Sequence, residues 1–313
     1  MQKNRALVLA EIETTYGTDP APDVTTNAIL CETPEFEIGQ KALDRKYTRS
    51  YMGTLPKVTV GESLKIKLKA ELKGGGAAGT APEIAPLLKA CNLTESINAG
   101  TNVRYTPHSD LDGDSATIYF YQHDLLHKIS GCRGDLTIDA KAGEYGIIEF
   151  DMTGIYQSVV DSLLTSALAS GVSYNSTMPA RFLSANFSLN GSTSLIIENI
   201  KLKLGNKIGR RADANASTGI LEYFITDREA TAEIDPEAMR VASFDTWGLW
   251  AQSSRVSMGV TIGGAAGNTC TITSPKAQIK DLKYGERETL LTHQLTIDLT
   301  PDDGNDEIDI NFT

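Results

Sequence analysis

The sequence resembles itself at two fixed offsets, and this internal repeat is the feature that most constrains the fold. At an offset of 166, residues 36–71 align with residues 202–237. The identical pairs are Gly39/Gly205, Lys41/Lys207, Arg45/Arg211, Gly53/Gly219, Leu55/Leu221 and Glu71/Glu237. At an offset of 142, Asp139, Lys141, Gly143 and Glu144 match Asp281, Lys283, Gly285 and Glu286 in the same order. The two offsets together predict two similar units in tandem, the second with a connection 24 residues shorter.

Local patterns predict that both units are mainly β. Apolar and polar residues alternate in short runs at residues 64–68, 117–121, 136–138, 200–204, 256–262 and 295–299, and this alternation is typical of strands with one buried face. Helical signals are few: a short helix is predicted within residues 82–90 and another within residues 243–251, where Phe244, Trp247 and Trp250 recur every third residue. A linking helix near 159–170 is predicted to separate a first unit at 1–170 from a second at 171–313.

Charge and cysteine content exclude several classes of protein. The net charge is −11, and it is shared between residues 1–160 (−5) and 161–313 (−6). This argues against a duplex-DNA reader, whose affinity depends on Lys and Arg that neutralise phosphates. The sequence contains no run of about 18 apolar residues, so no membrane-spanning helix is predicted. The four cysteines lie far apart without a C-x-x-C spacing, so buried thiols in a reducing cytoplasm are expected.

Several motifs are similar to catalytic or metal sites, but none has the flanking structure or the partner residues that such a site requires. His123 and His127 have the spacing of a helical metal pair, but the flanking runs predict two strands and a turn. Residues 110–114 and 302–307 are interpreted as charged turns, and Arg133-Gly134-Asp135 as a further turn. With four histidines and no G-x-S-x-G elbow, nothing brings a nucleophile and a base together. We therefore predict no enzyme, no metal and no cofactor.

Three segments resemble the tail tube proteins (major tail proteins) of long-tailed, siphovirus-like bacteriophages. They are residues 6–38 at the start, residues 129–154 around the Asp-x-Lys-x-Gly-Glu motif, and residues 274–299 at the end of the second unit. The resemblance spans nearly the whole chain. It implies two tandem β-sandwich or barrel units, each with a short helix and a long hairpin loop.

The resemblance also implies a function and partners. Subunits of this family form rings that stack into the tail tube, and a tandem pair resembles the duplicated members that build a pseudo-sixfold ring from three chains. The implied partners are other copies of the chain, the tape measure protein, and the tail terminator and tip proteins. Phage DNA would pass through the lumen without specific binding, in a virion assembled in the host bacterial cytoplasm. An acidic lumen would repel phosphates, and an additional C-terminal immunoglobulin-like domain is not expected.

Residues 41–60 and 207–226 are predicted as two long, charged loops at equivalent places in the two units. Loops of this length without structure of their own are uncommon in compact domains unless they are functional. We hypothesise that they dock one ring on the next. The predicted inter-ring contact residues are Asp44, Arg45, Lys46, Arg49, Tyr51, Arg210, Arg211 and Asp213.

Two alternatives to a tail tube subunit stay open. A tail-completion or baseplate hub ring would use the same architecture once per virion instead of in many stacked copies. A two-domain β-sandwich module that binds carbohydrate belongs to a different class, and it would need a cluster of exposed aromatic residues. The aromatic residues make up 7% of the chain and are interpreted as scattered singly, which disfavours that module.

Overall fold

The computed structural model describes residues 5–157, 159–164 and 171–313, and it confirms a mainly β chain. The helices are α1 (Ala85–Ala90) and α2 (Thr246–Ala251). The strands are β1 (Ala6–Ile12), β2 (Ala28–Ile29), β3 (Glu35–Leu43), β4 (Val58–Glu71), β5 (Leu93–Asn98), β6 (Asn102–Pro107), β7 (Ala116–Gln122), β8 (Leu125–Lys141), β9 (Ile147–Tyr156), β10 (Val160–Asp161), β11 (Ser188–Leu189), β12 (Asn199–Lys203), β13 (Asn206–Ala212), β14 (Ile220–Arg228), β15 (Thr231–Ile234), β16 (Arg255–Ala265), β17 (Asn268–Arg287), β18 (Leu290–Thr300) and β19 (Asp309–Phe312).

Eight antiparallel strands form a continuous central sheet in the order β3–β4–β9–β8–β12–β15–β18–β17. The first four come from residues 1–170, the first half, and the last four from residues 171–313, the second half. The halves join where β12 pairs with β8, from Asn199 opposite Lys141 to Lys203 opposite Thr137. Two hairpins leave the sheet at one end, the hairpin end: the first hairpin connects β3 to β4, and the second is β13–β14. Lys141, Asn199 and Arg287 mark the opposite end, the turn end.

Side-chain alternation separates a buried face of the central sheet from a polar face. In β4, Leu64, Ile66 and Leu68 are fully buried, whereas Lys65, Lys67 and Lys69 are exposed. Because successive side chains of a strand point to opposite faces, this pattern places the apolar core on one side of the sheet. The core lies between the buried face and a second layer that includes β1, β7, α1 and β16.

The halves are also joined through β19. This strand pairs on one edge with β17 of the second half and on the other with β6 of the first half. Asn102 donates a side-chain hydrogen bond to Asn311 at 2.9 Å, and Tyr105 packs edge-on against Phe312 with ring centroids 5.9 Å apart. The central sheet and β19 therefore connect the halves at two separate places.

Several local predictions are confirmed and two are wrong. Both short helices form within their predicted segments, and β7 and β8 flank a turn at His123. In the segment of the predicted linking helix, residues 160–161 form a strand paired with Leu125 and Leu126, and Leu164 is helical. Residues 165–170 lie outside the described residues, so the linking helix stays a prediction. Residues 207–226 are not an unstructured loop, because β13 and β14 pair over most of them. The Arg133-Gly134-Asp135 tripeptide is not a turn, because it lies within β8.

Candidate assembly surfaces

The first hairpin, residues 41–60, projects from the hairpin end and makes its polar contacts with itself. Asp44 and Lys57 form an exposed ion pair at 3.0 Å. Arg49 donates a hydrogen bond to the carbonyl of Gly53 and lies over the ring of Tyr51, 4.9 Å from its centroid. Tyr47, Tyr51 and Met52 are largely or fully exposed. Arg45 and Lys46, the other two predicted contact residues here, are exposed and form no ion pair with any described residue. This hairpin thus presents cations and apolar side chains to its surroundings.

The second hairpin, residues 206–228, folds across the first half instead of projecting freely. Ile220 and Tyr223 are buried and form a small apolar cluster with Ile155 at the end of β9. Of the predicted contact residues, Arg211 forms an ion pair with Glu222 at 2.9 Å, and Asp213 caps a turn by accepting the backbone N–H of Asn215. The Arg210 guanidinium lies next to Gly61 of β4. The structure therefore brings the bases of the two hairpins together, while Arg211 and Asp213 are engaged within their own hairpin.

A buried arginine that the sequence analysis assigned to a turn holds the second hairpin in place. Arg133 is 4% exposed, and its guanidinium donates to the carbonyl oxygens of Tyr223 (2.8 Å) and Gly113 (2.5 Å). The hydroxyl of Tyr16 accepts the backbone N–H of Tyr223 at 2.7 Å. Both backbone polar groups of Tyr223 are thereby satisfied by the first half, as buried groups require. The local signal was weak, because nothing in the tripeptide indicates that it lies in a strand.

Asn206 fixes the start of the same hairpin. Its side-chain amide donates to the carbonyls of Cys91 and Gly134, at 2.8 and 2.9 Å, and its backbone N–H donates to Asp135. Burial raises the pKa of the Asp135 carboxyl, while the hydrogen bond from the Asn206 backbone N–H acts in the opposite direction. The second half therefore enters its hairpin through a buried contact with α1 and β8.

The central sheet ends in two unpaired strand edges. Among the described residues, β3 pairs only with β4. The edge of β17 that faces β16 is paired as far as Gln278 and is then unpaired from residue 279 to 287. In β8 the corresponding edge is filled, because β7 covers its start and β12 covers residues 137–141. An unpaired edge presents backbone N–H and C=O groups that can pair with another chain.

The polar face of the central sheet carries both signs of charge. Lys67 and Lys69 lie 3.8 and 3.6 Å from Glu149, and Lys280 lies 3.2 Å from Asp298. Lys203 approaches Asp135 at 3.8 Å on the neighbouring strand. This face is thus not uniformly acidic, and most of its contacts join cations to carboxylates across or along strands.

Both tryptophans of the chain lie in an aromatic cluster at the turn end, which the sequence analysis missed. The Trp247 ring lies 5.4 Å from Tyr284 and 5.8 Å from His293, measured between centroids, and Trp250 lies 6.2 Å from Trp247. Trp250 and Tyr284 are 42% and 59% exposed. The expectation that aromatic residues are scattered singly is therefore wrong. The three-residue spacing was a partial signal, but Tyr284 and His293 come from distant strands.

We expect tryptophan fluorescence to report the protonation of His293. Burial lowers the pKa of this histidine from its ordinary value of about 6.5, and a protonated imidazole quenches a neighbouring indole. Fluorescence should therefore fall on acidification with a midpoint below pH 6.5, and His293→Gln should remove this step. His108→Gln is the matched control. A step of equal size in His293→Gln and the unaltered protein would exclude His293 as its origin.

No group of three or more His, Cys, Asp or Glu side chains in the described part of the chain is arranged to hold a metal ion. In the same part of the chain, no helix is long and apolar enough to cross a membrane.

The comparison with protein families is decisive. A family model described as phage tail tube protein matches residues 3–313. This chain belongs to the phage tail tube protein family. No curated protein matches the sequence.

Membership makes this tail tube protein a structural component of the virion tail. It supports a structural role over catalysis, and over the carbohydrate-binding module, even though the aromatic cluster meets one requirement of such a module. Membership also implies self-assembly into a tube. Within the described part of the chain, β3 and residues 279–287 of β17 each have one edge without a partner strand.

Proposed function

We propose that this tail tube protein closes into rings of three chains, and that the rings stack into the hollow conduit through which phage DNA is ejected. The observation that carries the proposal is the pair of unpaired edges at opposite sides of the central sheet, on β3 and β17. Strands β3 and β17 run antiparallel to each other, as β12 and β8 do. If β3 of each copy pairs with β17 of the next, three copies close a barrel of 24 strands, three times eight.

The strand order supports the prediction that each half of the chain contains one copy of a repeated unit. At the offset of 166, β3 corresponds to β12 and β13, and β4 corresponds to β14 and β15. At the offset of 142, β8 corresponds to β17. In each half a short helix precedes this long strand. Each chain would therefore fill two of six similar positions, and the β8–β12 pairing within the chain is the pattern for the pairing between chains.

The paired charges on the polar face of the central sheet support the proposal that the bore does not retain DNA. In the ring it lines the lumen, because the opposite face is buried in the core. Its lysines contact carboxylates such as Glu149 and Asp298. Cations that are already paired have less to gain from phosphates, so DNA would slide past without specific binding. The tape measure protein would occupy this bore, and the terminator and tip proteins would contact the end rings.

Solution mass and negative-stain electron microscopy over a concentration series test the proposal. We expect rings with three times the 33.7 kDa chain mass, and hollow tubes at higher concentration. Six chains per ring would contradict the two-position assignment. A monomer at every concentration, with or without a tail-tip complex as nucleator, would contradict self-assembly. Rings that never stack would favour the tail-completion or baseplate hub alternative, which has the same fold.

Charge reversal tests the predicted inter-ring contacts. Arg45→Glu is expected to shorten tubes or lower their yield, because Arg45 is exposed on the first hairpin without an ion-pair partner among the described residues. Arg211→Glu should have a smaller effect on stacking, since Arg211 is already bound to Glu222 within its chain. Tube length by electron microscopy is the measurement. Unchanged length and yield for Arg45→Glu would exclude the docking role of this residue.

A further inference from the structure

The second hairpin shows how a hairpin of this fold is held by the unit beside it. It crosses the hairpin end of β8 and β9, where Tyr16 and Arg133 bind the backbone of Tyr223 and Ile155 packs against its side chain. This contact follows from the pairing of β12 with β8, because β12 runs toward the hairpin end and the second hairpin begins where β12 ends. In the proposed ring, β3 of one copy would lie against β17 of the next in the same direction. The first hairpin would then emerge at the hairpin end of β17 and β18.

An open groove lies at that position, between the second half and Asn92, His108 and Ser109 of the first half. It has a volume of about 740 Å³ and runs between the turn after β14, the end of β18 and the segment that leads to β19. Its lining includes Asp227, Glu229, Asp298 and Glu307. Thr137 of β8 lies opposite Glu149 of β9, and Ile279 of β17, the counterpart of Thr137 at the offset of 142, lies opposite Ile297 of β18. Six residues after Glu149 and Ile297 come Ile155 and Asp303, so the strand pairing makes these two positions equivalent. Gly304, next to Asp303, lines the groove. The place that the second hairpin fills in the first half is therefore open in the second half.

The charges of the hairpin and the groove are complementary. Residues 41–60 carry a net charge of +4, and the base of the hairpin contributes Lys41 and Lys57 to it. The groove, the adjoining turn and the cations that contact them carry seven carboxylates and five cations, a net charge of −2. The carboxylates are Asp227, Glu229, Asp298, Asp302, Asp303, Asp306 and Glu307, and the cations are Lys207, Arg228, Arg255, Lys276 and Lys280. Five of the carboxylates form ion pairs with these cations, whereas Asp303 and Asp306 form none with any described residue. Complementary potentials favour this partner over others and set the orientation of docking.

We infer that the first hairpin of a second copy lies in this groove, within the same ring. The inference rests on the proposed ring. The second hairpin contacts the first half through the apolar side chains of Ile220 and Tyr223. At the offset of 166 the first hairpin has Thr54 and Lys57 at these positions, so its docking in the groove would be ionic. Only the base of the hairpin is needed for this contact, so the tip around Arg45 and Arg49 stays available to the next ring.

Cross-linking between copies tests the inference. Lys57→Cys and Asp303→Cys are introduced into separate chains, which are mixed during assembly and treated with a short bismaleimide. The ring fraction is isolated by gel filtration before treatment, so that stacked rings do not contribute. Cys91, Cys132 and Cys270 are buried, and burial raises the pKa of the Cys31 thiol to about 12, which slows its reaction at neutral pH. The unaltered protein, treated alike, measures the remaining background.

The control partner is Leu290→Cys, an exposed position at the turn end. We expect cross-linked dimers when Lys57→Cys is mixed with Asp303→Cys, and background yield when it is mixed with Leu290→Cys. Rings that give no dimer with Asp303→Cys would overturn the groove assignment while leaving the ring intact. Dimers with Leu290→Cys alone, in stacked tubes, would assign the hairpin to the next ring. Absence of rings from the unaltered protein would overturn both the proposed function and this inference.

Discussion

Replacing Glu13 by alanine is expected to lower the free energy of unfolding by about 3–5 kcal/mol, because four donors lose their acceptor and each buried donor left unsatisfied costs about 1–3 kcal/mol before relaxation. The Glu13 carboxylate is 6% exposed and accepts four hydrogen bonds. The donors are the backbone N–H groups of Gly17 and Gly131, both at 2.7 Å, and the hydroxyls of Ser115 and Thr117, both at 2.6 Å. Without the carboxylate, buried donors from three segments lose their acceptor. Equilibrium urea denaturation measures the effect.

Glu11→Ala is the matched control for Glu13→Ala, because Glu11 lies two residues earlier in β1 and makes no side-chain hydrogen bond to any described residue. We expect it to change stability by no more than about 0.5 kcal/mol. Glu13→Gln should fall between the two, since an amide keeps one acceptor oxygen but turns a donor toward donors. Equal stability of Glu13→Ala and Glu11→Ala would show that the four hydrogen bonds contribute little.

Gly205→Ala is the second large effect that we expect, at about 3 kcal/mol or more. Gly205 has φ of +74° between β12 and β13, a conformation that costs other residues about 1–2 kcal/mol. In addition, a Cβ at this position would overlap the backbone carbonyl of Glu229, and overpacking of this kind typically costs about 1–3 kcal/mol. The alanine should therefore displace the second hairpin from its contact with Arg133.

Gly219→Ala separates the cost of the positive φ from the cost of the steric overlap. Gly219 has φ of +71°, but a Cβ there would have no heavy atom within 4 Å. We expect only the conformational cost, about 1–2 kcal/mol. Urea midpoints at constant m-value compare the two variants. If Gly219→Ala destabilises as much as Gly205→Ala, the close approach to Glu229 has no energetic role.

The repeat and the alternating runs were enough to predict β4, β7, β8, β12, β16 and β18, the two short helices and the position of both hairpins. They were not enough to predict that the first hairpin projects while the second packs against the first half. Gly39 and Gly205 are identical in the repeat, yet only Gly205 has a positive φ and a backbone carbonyl that a Cβ at this position would overlap. The second hairpin is ordered by Arg133 and Tyr16, which belong to the other half of the chain. Local patterns cannot report contacts of this kind, because they depend on residues about 90 and 207 positions apart.

The candidate surfaces show the same limit. The exposed cations of the first hairpin could be predicted from composition and position, since a charged loop between two strands is expected at the surface. The aromatic cluster could not, because Trp247 meets Tyr284 and His293 only after β17 and β18 have paired. Likewise, the unpaired edge of β17 becomes apparent only by comparison with β8, where β12 fills the equivalent place.

The pairing of β19 with β6 bears on how the protein is made. Val103 of β6 lies opposite Phe312, about 200 residues later in the chain. During synthesis, β6 therefore has an open edge until the ribosome has translated the second half. Contacts of such long sequence range slow folding and expose aggregation-prone edges. The first half, expressed alone, should for this reason be poorly soluble, and the second half supplied in trans should restore its solubility.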